Sequence, residues 1–361
     1  MKKSNLFQKM IAFTLLVVFF SLTFTGCKND KETAVTSSDS KAGDSTAVKE
    51  KRVYYFVAGF QGHPYLIDAH KGFEYAAEMF DVEIVRMGPD GFDSKATSEA
   101  MEQAIAKKPD GIITMLWDSA QVPAIQRAMA DGIPVIATTS NVPDSGVMTY
   151  IGLDNYQCGI DTAKELINQA GDTGKLVALG NWGASNTDDK FRGLMDGLKG
   201  TKWELLSKVD DKANTETAIE AAKSAFNNYE DLTAIVGLDS SSGTGIGIAM
   251  EELKIDPKNV AVVVHDREVG TIEYIQKGLI RSTIINKTAT DSYMAILLLE
   301  AYNDQTIGLS NVPVSRDNKA AGINIVPETI YEHTVVINQQ NVEEFLYENL
   351  PEFPKGKELY N

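Results

Sequence analysis

The sequence contains few of the residues from which small metal-bound or disulfide-bonded scaffolds are built. Its 361 residues include two cysteines and four histidines, too few for a disulfide framework and a poor basis for a Cys/His zinc cluster. Basic residues are also scarce, with 34 Lys and Arg against 50 Asp and Glu. Nucleic-acid binding needs a basic face, so we expect no nucleic-acid partner. The 43% of hydrophobic residues indicates a globular chain, and its length suits about two domains at roughly 150 residues per domain.

The usual signatures of catalysis and cofactor binding are absent as well. The glycine-rich segment Ser242–Ile248 matches neither G-x-G-x-x-G nor a P-loop, and close packing of a helix on a strand explains its glycines. Gly183–Thr187 lacks the second glycine of a nucleophile elbow. The histidines are widely spaced and no H-E-x-x-H motif occurs. We therefore expect no enzyme activity, no catalytic residue, no metal site and no cofactor.

Residues 1–26 have the composition of an export signal peptide. A lysine-rich start precedes an apolar run at residues 10–24, shorter than the roughly 18 residues of a membrane-spanning helix. The end of this run, Phe24-Thr25-Gly26-Cys27, resembles a bacterial lipobox. That resemblance implies cleavage before Cys27, lipidation of its sulfur and anchoring to the cell membrane; an ordinary secreted protein is the alternative. Residues 27–51 lack aromatic side chains and are predicted to be a flexible tether.

From residue 52 onward, short apolar runs alternate with amphipathic segments. Continuous runs such as Val53–Ala58 and Gly111–Met115 are typical of strands buried on both faces of a parallel sheet. The alternation predicts an α/β fold with two doubly wound, Rossmann-like domains, a multi-strand hinge and a ligand cleft between them. The predicted domains are residues 52–154 plus 287–315 and residues 155–286 plus 316–361, with crossings near residues 153–156, 286–288 and 311–317. Two of the helices are predicted to begin at Phe191 and Gly245, and the tail is predicted to form one strand at Glu332–Ile337 and a short helix at residues 341–347.

Polar and aromatic residues recur just after the predicted strands. The carboxyl ends of strands face the ligand crevice in an open α/β sheet, so we expect these residues to converge on one cleft. The predicted ligand-binding residues are His63, Tyr65, Trp117, Asp118, Ser140, Asn141, Trp182, Asn186, Asp188, Asp239, Asp266 and Asn286. Carboxylates and amides bind several hydroxyl groups, and Trp and Tyr offer flat apolar faces, which suits a neutral polyhydroxylated ligand. The local alternatives are helix capping by Asp239, Asp266 and His63, and core positions for the tryptophans.

Several stretches together resemble the type I periplasmic sugar-binding proteins of ABC importers, in the ribose- and xylose-binding branch. These stretches are His63-Pro64-Tyr65, Gly72–Ala77, Pro109–Ile113, Asp131–Ile136, Ile151–Gln157, Phe191–Leu194, Val264–Asp266 and Ile275–Thr283. The resemblance implies ligand contacts by His63, Tyr65, Asp239 and Asp266, a place near the hinge for Asn286, and sugar contacts within residues 186–189.

The sequence departs from this family pattern at two places. No arginine stands in the turn Thr139–Asn141, and Asp188 occupies a position where some members have arginine. The planar guanidinium of an arginine donates several hydrogen bonds, so its absence at these positions changes which hydroxyl groups of a ligand the site can bind. These departures argue against ribose itself and leave xylose, glucose, a deoxy sugar, a short oligosaccharide or a furanone-type signal as the ligand.

The resemblance implies a lipid-anchored extracytoplasmic receptor, which we expect to be a monomer. It would capture a carbohydrate by hinge closure and deliver it to the permease subunits of an ABC transporter. A sensory receptor for a membrane kinase or chemoreceptor is one alternative, and a secreted glycoside-acting enzyme is another. A sugar-responsive repressor shares the fold, but the export signal and the absence of a basic helix-turn-helix ahead of Arg52 exclude it.

Overall fold

The computed structural model describes residues 50–305, 326–346 and Asn349. These residues form two six-stranded sheets with helices packed on them. The strands are β1 (Val53–Val57), β2 (Glu83–Met87), β3 (Gly111–Thr114), β4 (Val135–Thr138), β5 (Thr149–Leu153), β6 (Thr173–Gly180), β7 (Lys202–Asp210), β8 (Ala234–Gly237), β9 (Ala261–His265), β10 (Ser282–Ile285), β11 (Thr329–Glu332) and β12 (Val335–Asn338). The helices are α1 (Leu66–Phe80), α2 (Ser94–Ala106), α3 (Val122–Ala130), α4 (Asn155–Ala170), α5 (Ser185–Gly197), α6 (Thr215–Asn228), α7 (Ser240–Leu253), α8 (Val269–Gln276) and α9 (Thr288–Asn303). Short 3-10 helices span Ser119–Gln121 and Val342–Phe345.

Each sheet is the centre of one lobe. The first sheet has the order β11-β5-β4-β3-β1-β2 with parallel pairing throughout. The second has the order β12-β10-β9-β8-β6-β7, and only the edge strand β12 pairs antiparallel. Helices α1, α2, α3 and α9 pack in the first lobe and α4 to α8 in the second. The prediction of two doubly wound parallel-sheet domains is confirmed.

The strand pattern follows from burial on both faces. Every residue of β3, β4, β8, β9 and β10 is buried, as expected where helices cover both sides of a parallel sheet. In α1, Leu66, Ala69, Phe73 and Ala76 are buried at helical spacing and form the face that packs on the first sheet.

Two glycines bring α4 and α5 into backbone contact. A Cβ atom on Gly159 would lie 2.0 Å from the carbonyl oxygen of Lys190, and one on Gly193 would lie 2.0 Å from that of Tyr156. Any side chain at either position would push the helices apart. This close approach fixes where α5 presents Lys190.

The chain crosses between the lobes after β5, after β10 and after β11. The last crossing passes through His333 and Thr334. The single strand predicted at Glu332–Ile337 is wrong, because the chain forms β11 in the first sheet and β12 in the second. The predicted assignment of residues 316–361 to the second domain is corrected for β11, which pairs with β5; the other boundaries stay predictions.

Several predicted features lie outside the described residues. They are the export signal, Cys27, the tether up to residue 49 and the crossing near residues 311–317. Among the described helices, none has both the length and the apolar character needed to span a bilayer. Within the same residues, no three His, Cys, Asp or Glu side chains are grouped to hold a metal ion.

Candidate functional site

A cleft of about 590 Å³, counting the part open to solvent, lies between the two lobes at the carboxyl ends of their strands. The first lobe contributes Phe60, Tyr65, Phe92, Trp117 and Thr139 to its lining, the second lobe contributes Asn181, Ala184, Asn186, Thr187, Lys190, Ala213, Asp239, Ser240 and Asp266, and the crossings contribute Leu153, Asn155 and Asn286. One wall is therefore aromatic and the other is rich in carboxylates and amides.

The aromatic wall consists of Phe60, Phe92 and Trp117. The ring centroids of Phe60 and Trp117 are 4.8 Å apart, and those of Phe92 and Trp117 are 5.2 Å apart. Trp117 is 6% exposed, so its mutual packing with the two phenylalanines holds it in place. A cluster of this kind presents a rigid apolar face on which a C–H-rich ligand surface can stack.

Asp239 both caps a helix and faces the cleft. Helix α7 begins at Ser240, earlier than predicted, and Asp239 Oδ1 accepts hydrogen bonds from the N–H groups of Ser241 and Ser242 at 2.8 and 3.2 Å. Its other oxygen, Oδ2, is buried and has no hydrogen-bond partner among the described residues. A buried acceptor without a partner is costly unless something else satisfies it, so this oxygen points to a missing donor.

Asp266 follows β9 in a left-handed conformation, with φ of 67°. Thr283 Oγ1 donates to its carbonyl oxygen at 2.5 Å, and its own N–H donates to Ile284 at 3.0 Å. Burial raises the pKa of Asp266 to about 6; the neighbouring Lys190 opposes that rise and the charge of Asp239 adds to it. Non-glycine residues held with positive φ often mark functional positions.

Lys190 is an ammonium group at the cleft that the sequence analysis did not select. It is 5% exposed, and its Nζ lies 3.4 Å from the carbonyl oxygen of Leu238. It lies one helical turn beyond Asn186, because α5 begins at Ser185 instead of at Phe191 as predicted. The cleft therefore holds a positive charge among its carboxylates.

His63, Tyr65 and Asn286 link the lobes at one side of the cleft. The Nδ1 atom of His63 accepts from the N–H of Tyr65 at 3.1 Å, so the ring proton is on Nε2, which lies 3.3 Å from Ser241 Oγ in the second lobe. Burial lowers the pKa of His63, although the charge of Asp239 opposes this. Asn286 Nδ2 donates to the hydroxyl of Tyr65 at 3.2 Å.

An ion pair joins the lobes next to these residues. Arg267, after β9, donates from two nitrogens to both carboxylate oxygens of Asp68 on α1, each at 2.7 Å. The side chains of Arg267 and Asp68 are 14% and 23% exposed. A two-pronged arginine–carboxylate contact fixes both distance and orientation, so this cross-lobe ion pair holds the two lobes in the arrangement described here.

Six predicted residues line the cleft: Tyr65, Trp117, Asn186, Asp239, Asp266 and Asn286. His63 does not line the cleft, but its Nε2 lies 3.3 Å from the Oγ of Ser241, the residue after the lining residue Ser240. The other five predicted residues lie elsewhere, and their part in ligand binding stays a prediction that the geometry does not favour.

Four of those five have local side-chain contacts, whereas Asn141 Oδ1 is buried and has no hydrogen-bond partner among the described residues. Asp118 caps the 3-10 helix at Ala120 and accepts from Ser94. Ser140 is buried and donates to Leu116 at 2.6 Å, while Asn141 lines a neighbouring groove. Trp182 packs on Phe191 beneath Lys208, and Asp188 pairs with Lys208 at 3.7 Å.

The sequence analysis overlooked several lining residues, chiefly Phe60, Phe92, Asn155, Asn181 and Lys190. Phe60 and Asn181 follow β1 and β6 closely and obey the rule used for the other candidates. Lys190 could be found only by starting α5 at Ser185, and Phe92 lies in a loop with no periodic signal.

Comparisons with known proteins agree with this geometry. A family profile described as "Periplasmic binding protein domain" matches residues 54–306. The ribose import binding protein RbsB of Bacillus subtilis is 22% identical over 243 residues, which cover 65% of this chain and 78% of that protein.

Two solved structures share the fold. GanP, a glucose-galactose binding protein from Geobacillus stearothermophilus, is 22% identical with a TM-score of 0.71, over 81% of this chain and 99% of GanP. An ABC transporter solute binding protein from Burkholderia graminis, in complex with D-arabinose, is 19% identical with a TM-score of 0.72, over 81% of this chain and 96% of that one.

Proposed function

Because the chain belongs to the periplasmic binding protein family, we propose that it is an extracytoplasmic receptor that binds a neutral sugar between its lobes and delivers it to an ABC importer. The observation that carries this proposal is the pairing of an aromatic wall with Asp239 Oδ2, a buried acceptor without a partner among the described residues. A sugar has apolar C–H faces and hydroxyl donors, so it complements both walls. The relatives described as sugar-binding proteins support the same class of ligand.

Ligand-stabilised closure is the proposed mechanism. In an open form, each lobe presents its own half of the site to water. A sugar that stacks on Trp117 and donates hydroxyls to Asp239 and Asp266 interacts fully only with the closed form and shifts the population towards it. A permease that recognises the closed shape then distinguishes loaded from empty receptor. No bond of the sugar has to be made or broken, so we propose binding without catalysis.

The proposed cellular position follows from the sequence. Lipidation at Cys27 would hold the protein at the outer face of the cell membrane, with residues 27–51 as the tether. Mass spectrometry of the membrane fraction tests this position: a diacylated or triacylated peptide beginning at Cys27 is expected, and replacement of Cys27 by Ser should release the protein.

A thermal-shift screen tests the ligand class. The folded body from residue 50 onward is screened against D-ribose, D-xylose, D-glucose, D-galactose, deoxy sugars and short oligosaccharides, with amino acids as the counter-panel. Binding to the native state alone stabilises by about 2.7 kcal/mol at a hundred times Kd, which raises Tm by several degrees. A shift with an amino acid and with no sugar would show that the ligand class is wrong.

Asp266→Asn and Asp188→Asn form a matched pair for the sugar that binds. Asparagine tolerates the left-handed conformation of residue 266, whereas alanine would be strained there. Loss of a charged acceptor at residue 266 should weaken binding by about 10- to 100-fold. The same change at Asp188, which pairs with Lys208 away from the cleft, should leave affinity unchanged. Equal losses in both variants would contradict the assigned site. If a short oligosaccharide binds, its recovery intact after incubation excludes a glycoside-acting enzyme.

A further inference from the structure

A second carboxyl group is buried behind Asp239 in the second lobe. Asp211 follows β7 and has no solvent-exposed surface. The hydroxyl oxygen of Ser242 lies 2.5 Å from Asp211 Oδ2 and 3.3 Å from Asp239 Oδ1. Asp211 Oδ1 accepts from the N–H of Ala213 at 3.2 Å. One serine hydroxyl therefore bridges two carboxyl groups inside the protein.

The hydrogens available do not satisfy two ionised carboxylates. Ser242 has a single hydroxyl hydrogen, which serves either Asp211 or Asp239 but not both. Two negative charges facing one hydroxyl inside the protein would repel each other in a medium that screens them poorly. An additional proton on one of the two carboxyl groups removes this repulsion. It also supplies a second hydrogen, so that Asp211, Ser242 and Asp239 are joined by a continuous row of hydrogen bonds.

The contacts place that proton on Asp211. Asp239 receives two backbone N–H groups at the N-terminus of α7, where a negative charge is favoured, whereas Asp211 receives one. Burial and the neighbouring Asp239 raise the pKa of Asp211 to about 9. The other ionisable groups around the pair are Asp266, Glu268 and His63, on which Asp239 acts, and Lys190 beside Asp266.

The loop after β7 is built to hold Asp211 in this position. Lys212 and Ala213 are consecutive non-glycine residues in the left-handed region, with φ of 57° and 48°. Two such residues in succession are strained and persist only where surrounding contacts demand them. The turn they form carries Asp211 inward and places Ala213 on the cleft wall.

We propose that Asp211 is a positioning residue that stays protonated at neutral pH and donates to Ser242, which in turn donates to Asp239. Asp239 then keeps one negative charge and a fixed orientation, with Oδ2 left for a ligand hydroxyl. This rests on the proposed function for the role of Asp239, but the proton on Asp211 is a property of the unliganded protein. The two parts can be tested separately.

The first test needs no ligand. Urea unfolding is measured from pH 5 to pH 9 for the wild type, Asp211→Asn and the control Asp210→Asn, whose exposed side chain caps Lys212 in the same loop. A carboxyl group whose pKa is higher in the folded state loses its stabilising effect as pH rises. The unfolding constant of the wild type should therefore increase relative to that of Asp211→Asn by up to about tenfold per pH unit. Asp210→Asn should follow the wild-type profile. Parallel profiles of wild type and Asp211→Asn would overturn the proposal, whatever their offset.

The second test uses D-ribose, D-xylose, D-glucose and D-galactose as calorimetric probes at pH 7. Asparagine can donate to Ser242 and accept from Ala213 as a protonated carboxyl group does, so Asp211→Asn should bind the sugar within about twofold of the wild type. Ser242→Ala removes the hydroxyl that links Asp211 to Asp239, so it should bind the sugar about tenfold more weakly. A loss in Asp211→Asn as large as in Ser242→Ala would overturn the positioning role. If no probe binds the wild type, the proposed function fails in this form, and the pH series alone decides the protonation of Asp211.

Discussion

The cross-lobe ion pair between Asp68 and Arg267 allows the proposed closure of the lobes to be tested without changing the cleft lining. The change Asp68→Asn removes the negative charge of α1 and keeps the size of the side chain. Arg267 stays held by the carbonyl oxygen of Phe345, 3.1 Å from its Nη1, so its guanidinium is not left without a hydrogen-bond acceptor. We expect the variant to fold normally and to close less readily.

The expected effect lies between two limits. Exposed ion pairs contribute about 0–1 kcal/mol, and removing one partner of a fully buried pair costs about 3–5 kcal/mol. The Arg267 and Asp68 side chains are 14% and 23% exposed, which places them between these limits. A loss of about 1–2 kcal/mol from the closed state corresponds to about 5- to 30-fold weaker sugar binding.

Calorimetry with the sugars of the screen measures this loss, and small-angle X-ray scattering measures the closed fraction with and without sugar. The control is Glu74→Gln, which breaks the exposed pairs of Glu74 with Lys71 and Arg86 within the first lobe and should leave affinity unchanged. Affinity of Asp68→Asn equal to that of the wild type, with the same scattering change, would refute the role assigned to the ion pair. An equal loss in Glu74→Gln would attribute the effect to overall charge.

Three further results are expected. The pKa of Asp266 is raised to about 6 in the folded state, above its unfolded value of about 3.9. The stability that Asp266 contributes is therefore present below about pH 3.9 and is lost as pH rises through 6, and Asp266→Asn should remove this pH dependence of the unfolding free energy in urea. Burial lowers the pKa of His63, so the wild type should lose stability as pH falls below about 6.5, and His63→Gln should lose less. Trp117→Phe should abolish most of the sugar-dependent change in tryptophan fluorescence, since Trp182 and Trp203 lie outside the cleft lining; an undiminished change would place the ligand elsewhere.

The sequence predicts the lobes well because fully buried parallel strands leave continuous apolar runs. It fails where a strand lacks that signature. In β5, a glycine and two hydroxyl-bearing residues interrupt the apolar run although every residue is buried. In β11, most residues are only half-buried, and the chain changes sheets two residues later. Pairing with β5 defines β11, and no local pattern reports a partner so distant in sequence.

The candidate site was predictable to the extent that strand ends converge. Asp239 and Asp266 follow β8 and β9 in the middle of the second sheet, so both face the cleft. Asp118 and Trp182 also follow strands, but one turns to cap a short helix and the other packs on Phe191. Position after a strand fixes which end of the sheet a residue occupies. Its direction depends on rotamers and neighbours that the sequence does not display.

The order in which the strands are assembled has a consequence for biosynthesis. The first sheet takes its edge strand β11 from a late part of the chain, and α9, which packs on α1, also follows all five strands of the second sheet's parallel part. A nascent chain that has emerged as far as α4 still lacks both elements. Neither lobe is complete until residues 329–338 have been synthesised, so truncation ahead of residue 329 should leave two unfinished sheets with exposed edges instead of one folded half.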